Sequence, residues 1–179
     1  MPKVLTDSQR DSLVNAPDCR TRLGKRDRAL LSVLAYGGLR IAEACSLRRD
    51  DITRDDGQMR LTFTGKKGHA RTVSLPLTAS SAVEKWLMTH TSPFVFPARG
   101  GPLKPRAGRL RVMLHSEAVG LPDWMHPHSL RHTYGSTIMR KTGDLFLTAR
   151  VLGHRSVKTT ADYYLAFDAS YADKAAGVF

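Results

Sequence analysis

Residues 127–163, PHSLRHTYGSTIMRKTGDLFLTARVLGHRSVKTTADY, constrain the chain more than any other stretch. His128 and Arg131 are three apart, so on a helix they share a face. Asp144 is placed to cap a following helix that carries Leu145, Leu147, Ala149 and Leu152. Gly153 marks that helix's end, with His154 just beyond it. In the next helical run Val157, Ala161, Tyr164 and Leu165 recur at helical spacing and form a buried stripe. At about 100° per residue, Tyr163 sits roughly 120° from the stripe's centre. Tyr164 therefore reads as core, and Tyr163 as a phenol turned away from it.

Charge narrows the partner. The 179 residues carry 28 Lys and Arg against 16 Asp and Glu, a net charge of +12. Such a surface suits a polyanion, nucleic acid first. A membrane is a weaker fit, because no basic helix with an aromatic and leucine face is evident. The longest apolar stretch, residues 29–36, is too short to span a bilayer. The N-terminus, MPKVLTDSQRD, has no apolar signal core, so nothing in it argues for export. Cys19 and Cys45 form no C-x-x-C pair, which fits a reduced, intracellular setting.

The length fits one domain able to bury a real core. Thr6 and Gln9 have the spacing of a capping box opening a helix that runs toward Pro17. Residues 20–28 read as a basic connector, and Arg22, Lys25 and Arg26 on it are candidate phosphate contacts. A helix follows over 27–36 with Leu30, Val33 and Leu34 inward, ended by Gly37-Gly38. The next helix starts close to Leu39, with Arg40 and Glu43 on one face and Ala44 and Leu47 packing.

From residue 50 to 76 the period changes to two. Met59, Leu61 and Phe63 alternate with polar neighbours, and Val73 and Leu75 face inward on a return strand. A short strand near Ile52 makes a third, and residues 65–69 form the turn. Residues 77–91 read as a helix burying Val83, Trp86 and Leu87, and 92–105 as loop. Over 106–119 a helix turns Leu110, Met113 and Leu114 inward. Lys104, Arg106, Arg109 and Arg111 there make a second group of candidate phosphate contacts. The helix from residue 127 has Leu130, Tyr134 and Ile138 on its buried stripe.

The order of these residues resembles the tyrosine recombinase (phage integrase) family. Gly38-Leu39-Arg40-Ile41-Ala42-Glu43-Ala44-Cys45-Ser46-Leu47 matches G-L-R-x-x-E-x-x-x-L, and the C-terminal stretch matches H-x-x-R … L-G-H-x(8)-Y. Gly65-Lys66 with Arg71 and Val73 resembles the hairpin that carries the family's lysine, with Lys67 as the other candidate. The resemblance runs from about Pro2 to Tyr163. It implies a mainly α catalytic fold with a small three-stranded antiparallel sheet. It also implies site-specific DNA recombination through a covalent 3′-phosphotyrosyl intermediate, without metal, cofactor or ATP.

By that resemblance Tyr163 is the nucleophile, and Arg40 and Arg131 clamp the phosphate. Lys66 protonates the leaving 5′ oxygen, His128 assists removal of the tyrosine proton, and His154 binds a nonbridging oxygen. Glu43 orients the basic groups. The chemistry fits these residue types. Guanidiniums stay charged and grip phosphate oxygens bidentately. A phenol with a pKa near 10 needs help to lose its proton.

The whole chain, 1–179, is expected to be the catalytic domain, with 164–179 as a C-terminal tail. The family's N-terminal DNA-clamping domain is not among these residues, so the chain is either an excised fragment or a natural single-domain recombinase. Duplex DNA is the expected partner, with monomers assembling into tetramers on it, in the cytoplasm of a bacterium or of a phage's host. Two other readings stay open. One is a type IB topoisomerase-like relaxing enzyme. Another is a noncatalytic DNA-binding module, since residues 145–165 could pass for a helix-turn-helix. His126, His128 and His132 have spacing that zinc tolerates, but no carboxylate or thiol completes that set, so no metal is expected.

Overall fold

The computed structural model describes residues 3–64, 70–154, 156–158 and 160–161. The elements in order are α1 (Asp7–Asn15), α2 (Arg22–Gly37), α3 (Ile41–Ser46), β1 (Ile52–Asp55), β2 (Gln58–Thr64), β3 (Ala70–Ser74) and α4 (Leu77–Leu87). Then come β4 (Pro97–Ala98), β5 (Gly101–Pro102), α5 (Pro105–Ala118), α6 (Pro127–Thr142) and α7 (Leu145–Leu152). This is the mainly helical fold with a three-stranded antiparallel sheet that the sequence implies.

The fold is built around α2. Every residue from Ala29 to Ala35 is buried, so the helix is covered on all sides, as a central helix must be. It packs against α1, α3, α4, α5 and α6. The three-stranded sheet has the order β1-β2-β3. Asp56 and Gly57, both at positive φ (48° and 73°), make the two-residue turn between β1 and β2. Met59, Leu61 and Phe63 face the core on β2, and Val73 and Leu75 meet them from the return strand. Leu61 lies opposite Val73, and Phe63 opposite Arg71. The small β4–β5 pair lies inside the stretch read as loop.

Two expectations fail here. The basic stretch 20–28 is not a connector. Thr21 caps α2, its hydroxyl accepting the Gly24 amide at 2.9 Å, so Arg22, Lys25 and Arg26 sit on the first turns of the central helix. The second failure is on α5, where Leu110, Met113 and Leu114 are 48–57% exposed. The buried stripe is instead Gly108, Val112 and Ser116. Small residues win because α5 lies close on α3: a Cβ at Gly108 would come within 2.9 Å of Ile41 Cδ1 and 3.0 Å of Cys45 Sγ.

The other force seating α5 is ionic. Asp27 on α2 is fully buried and is met by Arg111 Nε at 2.7 Å, His115 Nε2 at 3.0 Å and Arg26 Nη2 at 2.9 Å. Burial opposes ionisation of Asp27, but hydrogen bonds from Arg111, His115 and Arg26 outweigh it and hold the carboxyl below its ordinary range.

Removing one partner from a buried charged cluster strands the others, at a cost of about 3 kcal/mol. Asp27→Ala is therefore expected to lower the urea midpoint at pH 7 by an amount of that order. A carboxyl with a depressed folded pKa stabilises fully above its ordinary value of 3.8 and loses that contribution as pH falls through the folded value. Wild type should thus begin to converge on the variant as pH falls below about 4. An unchanged midpoint at pH 7 would show that the cluster does not hold α5.

Candidate active site

The site starts at the end of α2. Gly38 has φ 62°, and a Cβ there would lie 2.3 Å from the Tyr134 ring. Both the left-handed backbone and the close aromatic ring require glycine. Two residues on, Arg40 is the extended N-cap of α3. Glu43, in the first turn, accepts the Arg40 amide at 2.7 Å and the Arg40 guanidinium at 2.9 Å. Its other partner is Arg71 Nη2, at 2.7 Å. Burial works against the Glu43 charge, but the Arg40 amide and the Arg71 cation keep its carboxyl below the ordinary range.

The second limb is α6. Pro127 occupies its first turn, and His126 Nδ1 accepts the Ser129 amide at 3.2 Å to cap it. Arg131 is 3% exposed. It donates to the Gly38 carbonyl at 2.7 Å and to the Leu152 carbonyl.

The third limb is the end of α7. Gly153 has φ 63°; its amide bonds to the Arg150 carbonyl and the His154 amide to the Ala149 carbonyl, each at 3.0 Å. That arrangement is a Schellman motif. The last carbonyls of a helix lack intrahelical partners and carry its negative dipole end, so they attract cations. Leu152 receives two, from Arg131 and from Arg71 Nη1 at 2.5 Å. A Cβ at Gly153 would lie 2.5 Å from Arg71 Nη1, so this glycine too answers both to its φ and to a close neighbour.

Three imidazoles border the guanidiniums. His154 Nδ1 lies 2.7 Å from the Thr160 hydroxyl. His128 and His132 meet edge-on at 4.2 Å between ring centres. Burial, then Arg131, Arg40, Arg71 and His128, push His154 down to about 4. Burial, then His128 and Arg131, push His132 down to about 4. His128 moves the same way, through burial and then Arg131, His126 and Arg40. All three shifts favour the neutral imidazole at pH 7. Among the described residues no group of three potential ligands is arranged to hold a metal ion.

The structure thus brings together Arg40, Glu43, His128, Arg131 and His154. Lys66, Lys67 and Tyr163 lie outside the described residues. Of the candidate phosphate contacts, Lys104, Arg106 and Arg109 are exposed on or beside α5. Arg26 and Arg111 pair with Asp27, and Arg22 lies over the Trp86 ring at 5.6 Å.

One residue of the cluster, Arg71, had served in the sequence only as a register mark. Its signal was present, since Arg71, Val73 and Leu75 share one face of a strand, and that face is the buried one. An arginine in an inward position needs partners, and here it has Glu43 and Leu152.

The phage integrase family model matches residues 3–170, and the chain belongs to that family. A tyrosine recombinase XerC of Xylella fastidiosa (strain M23) is 35% identical over 178 residues, covering 97% of this chain and 59% of that protein. The XerC of Xanthomonas campestris pv. campestris (strain B100) is 36% identical over 171 residues, covering 91% and 51%. The chain spans little more than half the length of these curated relatives. The fold matches the crystal structure of XerH site-specific recombinase bound to difH substrate in a pre-cleavage complex. That match has a TM-score of 0.84 at 24% identity, covering 98% of this chain and 54% of that one. The crystal structure of XerA recombinase gives 0.81 at 25% identity, covering 97% and 64%. No helix among the described residues is long and apolar enough to cross a membrane.

The environment of the imidazoles sets a pH dependence. His154 and His132 bind protons less readily folded than unfolded, so between their ordinary 6.5 and about 4 the unfolded chain holds more protons. Stability should therefore fall as pH drops from 6.5 toward 4, and these two groups should add no further loss below that. Imidazole C–H titration by NMR should place both near 4; midpoints near 6.5 would contradict the burial of the two rings and their closeness to Arg131.

Proposed function

We propose that this chain is the catalytic unit of a site-specific recombinase that cuts and rejoins duplex DNA through a 3′-phosphotyrosyl intermediate on Tyr163. The observation that carries the reading is the convergence of Arg40 and Arg131: Arg131 grips the carbonyl of Gly38, two residues before Arg40, and both cations bear on His154. Two guanidiniums gathered at one end of the helices suit a transition state with extra charge on the nonbridging oxygens.

The Tyr163 oxygen bonds to phosphorus and its proton passes to neutral His128. The bond from phosphorus to the 5′ oxygen breaks, and that oxygen takes a proton from Lys66. One ester replaces another, so no ATP is consumed and the reverse step reseals the strand. His154 holds a nonbridging oxygen, and Glu43 keeps Arg40 in place.

Duplex DNA as partner is supported by the net charge of +12 and by the likeness to a recombinase described as bound to difH substrate. Exposed Lys104, Arg106 and Arg109 are the first candidates for backbone contacts. Assembly of four copies on a recombination site, from monomers in its absence, belongs to the same proposal.

A nicked suicide duplex tests it. Wild type should form a denaturant-resistant protein–DNA adduct, Tyr163→Phe none, and Tyr164→Phe should still form it. Lys66→Ala should cleave ordinary DNA on the order of 10²–10⁴-fold more slowly, but much less so with a 5′-bridging sulfur, which leaves without a proton. An adduct from Tyr163→Phe that Tyr164→Phe fails to form would overturn the nucleophile, and salt-sensitive binding with no adduct would overturn the activity.

A further inference from the structure

Arg71 is a charged side chain to which neither the resemblance nor the proposed chemistry assigns a role, and its surroundings are unusual. It stands on the core-facing side of β3, opposite Phe63, with its guanidinium 5.2 Å from that ring's centre. Its side chain is only 12% exposed. One terminal nitrogen donates to Glu43 on α3 at 2.7 Å, the other to the last carbonyl of α7 at 2.5 Å. Its Nε–H is buried with no partner among the described residues. Burial and the nearby Arg40 charge both disfavour the cation, and the Glu43 charge offsets them in part. A leucine would suit that strand face better by packing alone, so the arginine makes sense where its fork is needed.

The fork joins three separate pieces of the site. Arg71 lies on β3, five residues downstream of Lys66 in the sequence. Glu43 also holds Arg40, and the Leu152 carbonyl is two residues from His154 and is shared with Arg131. A rigid planar donor with two terminal nitrogens fixes the distance between its two acceptors, which a point cation on a flexible stem cannot do.

We propose that Arg71 is a positioning residue for DNA cleavage. It locks the β2–β3 pair, the Arg40–Glu43 pair and the His154 end of α7 in one register, without touching the scissile phosphate. This rests on the recombinase reading above. Misplacement by about 1 Å can cost on the order of 10²-fold in rate.

The test compares Arg71→Lys and Arg71→Ala with wild type in the full chain. Arg71→Lys keeps a cation for Glu43 but cannot span both acceptors. Both variants should bind duplex DNA within about twofold of wild type at fixed salt, yet cleave on the order of 10²-fold more slowly in single turnover. With a 5′-bridging sulfur the loss should shrink by at least tenfold on the order-of-magnitude scale of a general acid's contribution, because alignment of Lys66 no longer matters. Wild-type cleavage by Arg71→Lys would overturn the proposal, since charge alone would then suffice.

A readout independent of activity is amide hydrogen exchange at His154 in the free chain. It should speed by about tenfold or more in Arg71→Lys, while the α2 core amides stay protected. Unchanged exchange at His154 would overturn the positioning role even in a chain that proved unable to cleave DNA, whereas an inactive wild type with the expected exchange would sink only the recombinase reading.

Discussion

A single peptide carbonyl, that of Leu152, holds the site together. Helix α7 ends there because Gly153 turns left-handed, and the ending leaves an acceptor with no helical partner. Two guanidiniums from different elements fill it, Arg131 from α6 and Arg71 from β3. Through Arg71 the contact reaches Glu43 and Arg40, and through Arg131 it reaches Gly38. Elements far apart in the chain are thus tied at one point by charge-assisted bonds, roughly twice as strong as neutral ones. Burial, and after it the same ring of cations, keep His154 neutral, so the arrangement that gathers positive charge for an anion does so without charging that imidazole.

The rest of the fold serves to present these pieces. A central α2 sheathed on all sides gives a rigid post, and the glycine that caps it, Gly38, is part of the site. Buried Asp27 anchors α5 to that post through Arg111 and His115. That anchoring leaves Arg106 and Arg109 outward, where they can meet a phosphate backbone, and spends Arg111 inward. The Leu5 amide bonds to the Thr133 hydroxyl at 2.9 Å, fixing the chain's start against α6, the helix of His128 and Arg131.

Much of this was legible in the sequence, for a physical reason. His128 and Arg131 are three apart on a helix and share a face, and Glu43 three residues after Arg40 has the spacing that lets it accept from the N-cap residue. The strand alternation Met59, Leu61, Phe63 and the caps Thr6 and Asp144 are likewise local. What the sequence concealed depends on distant partners. Arg71 meets a carbonyl 81 residues away. Leu110, Met113 and Leu114 have the phase of a core stripe, but the close approach of α5 to α3 selects Gly108, Val112 and Ser116 for the interface. The start of α2 was hidden because a run of arginines reads as solvated until Asp27 and the Trp86 ring are seen to receive them.

The central claim is that Arg40 and Arg131 act on one phosphate although Arg131 is anchored to backbone carbonyls. The most direct measurement is a structure of the chain with nicked duplex DNA and orthovanadate, which adopts the five-coordinate shape of the reacting phosphorus. The account predicts vanadium bonded to the Tyr163 oxygen, with both guanidiniums donating to its equatorial oxygens. Vanadate bound with Arg131 still committed to the Gly38 and Leu152 carbonyls, and no vanadate oxygen within hydrogen-bond reach of it, would contradict the account.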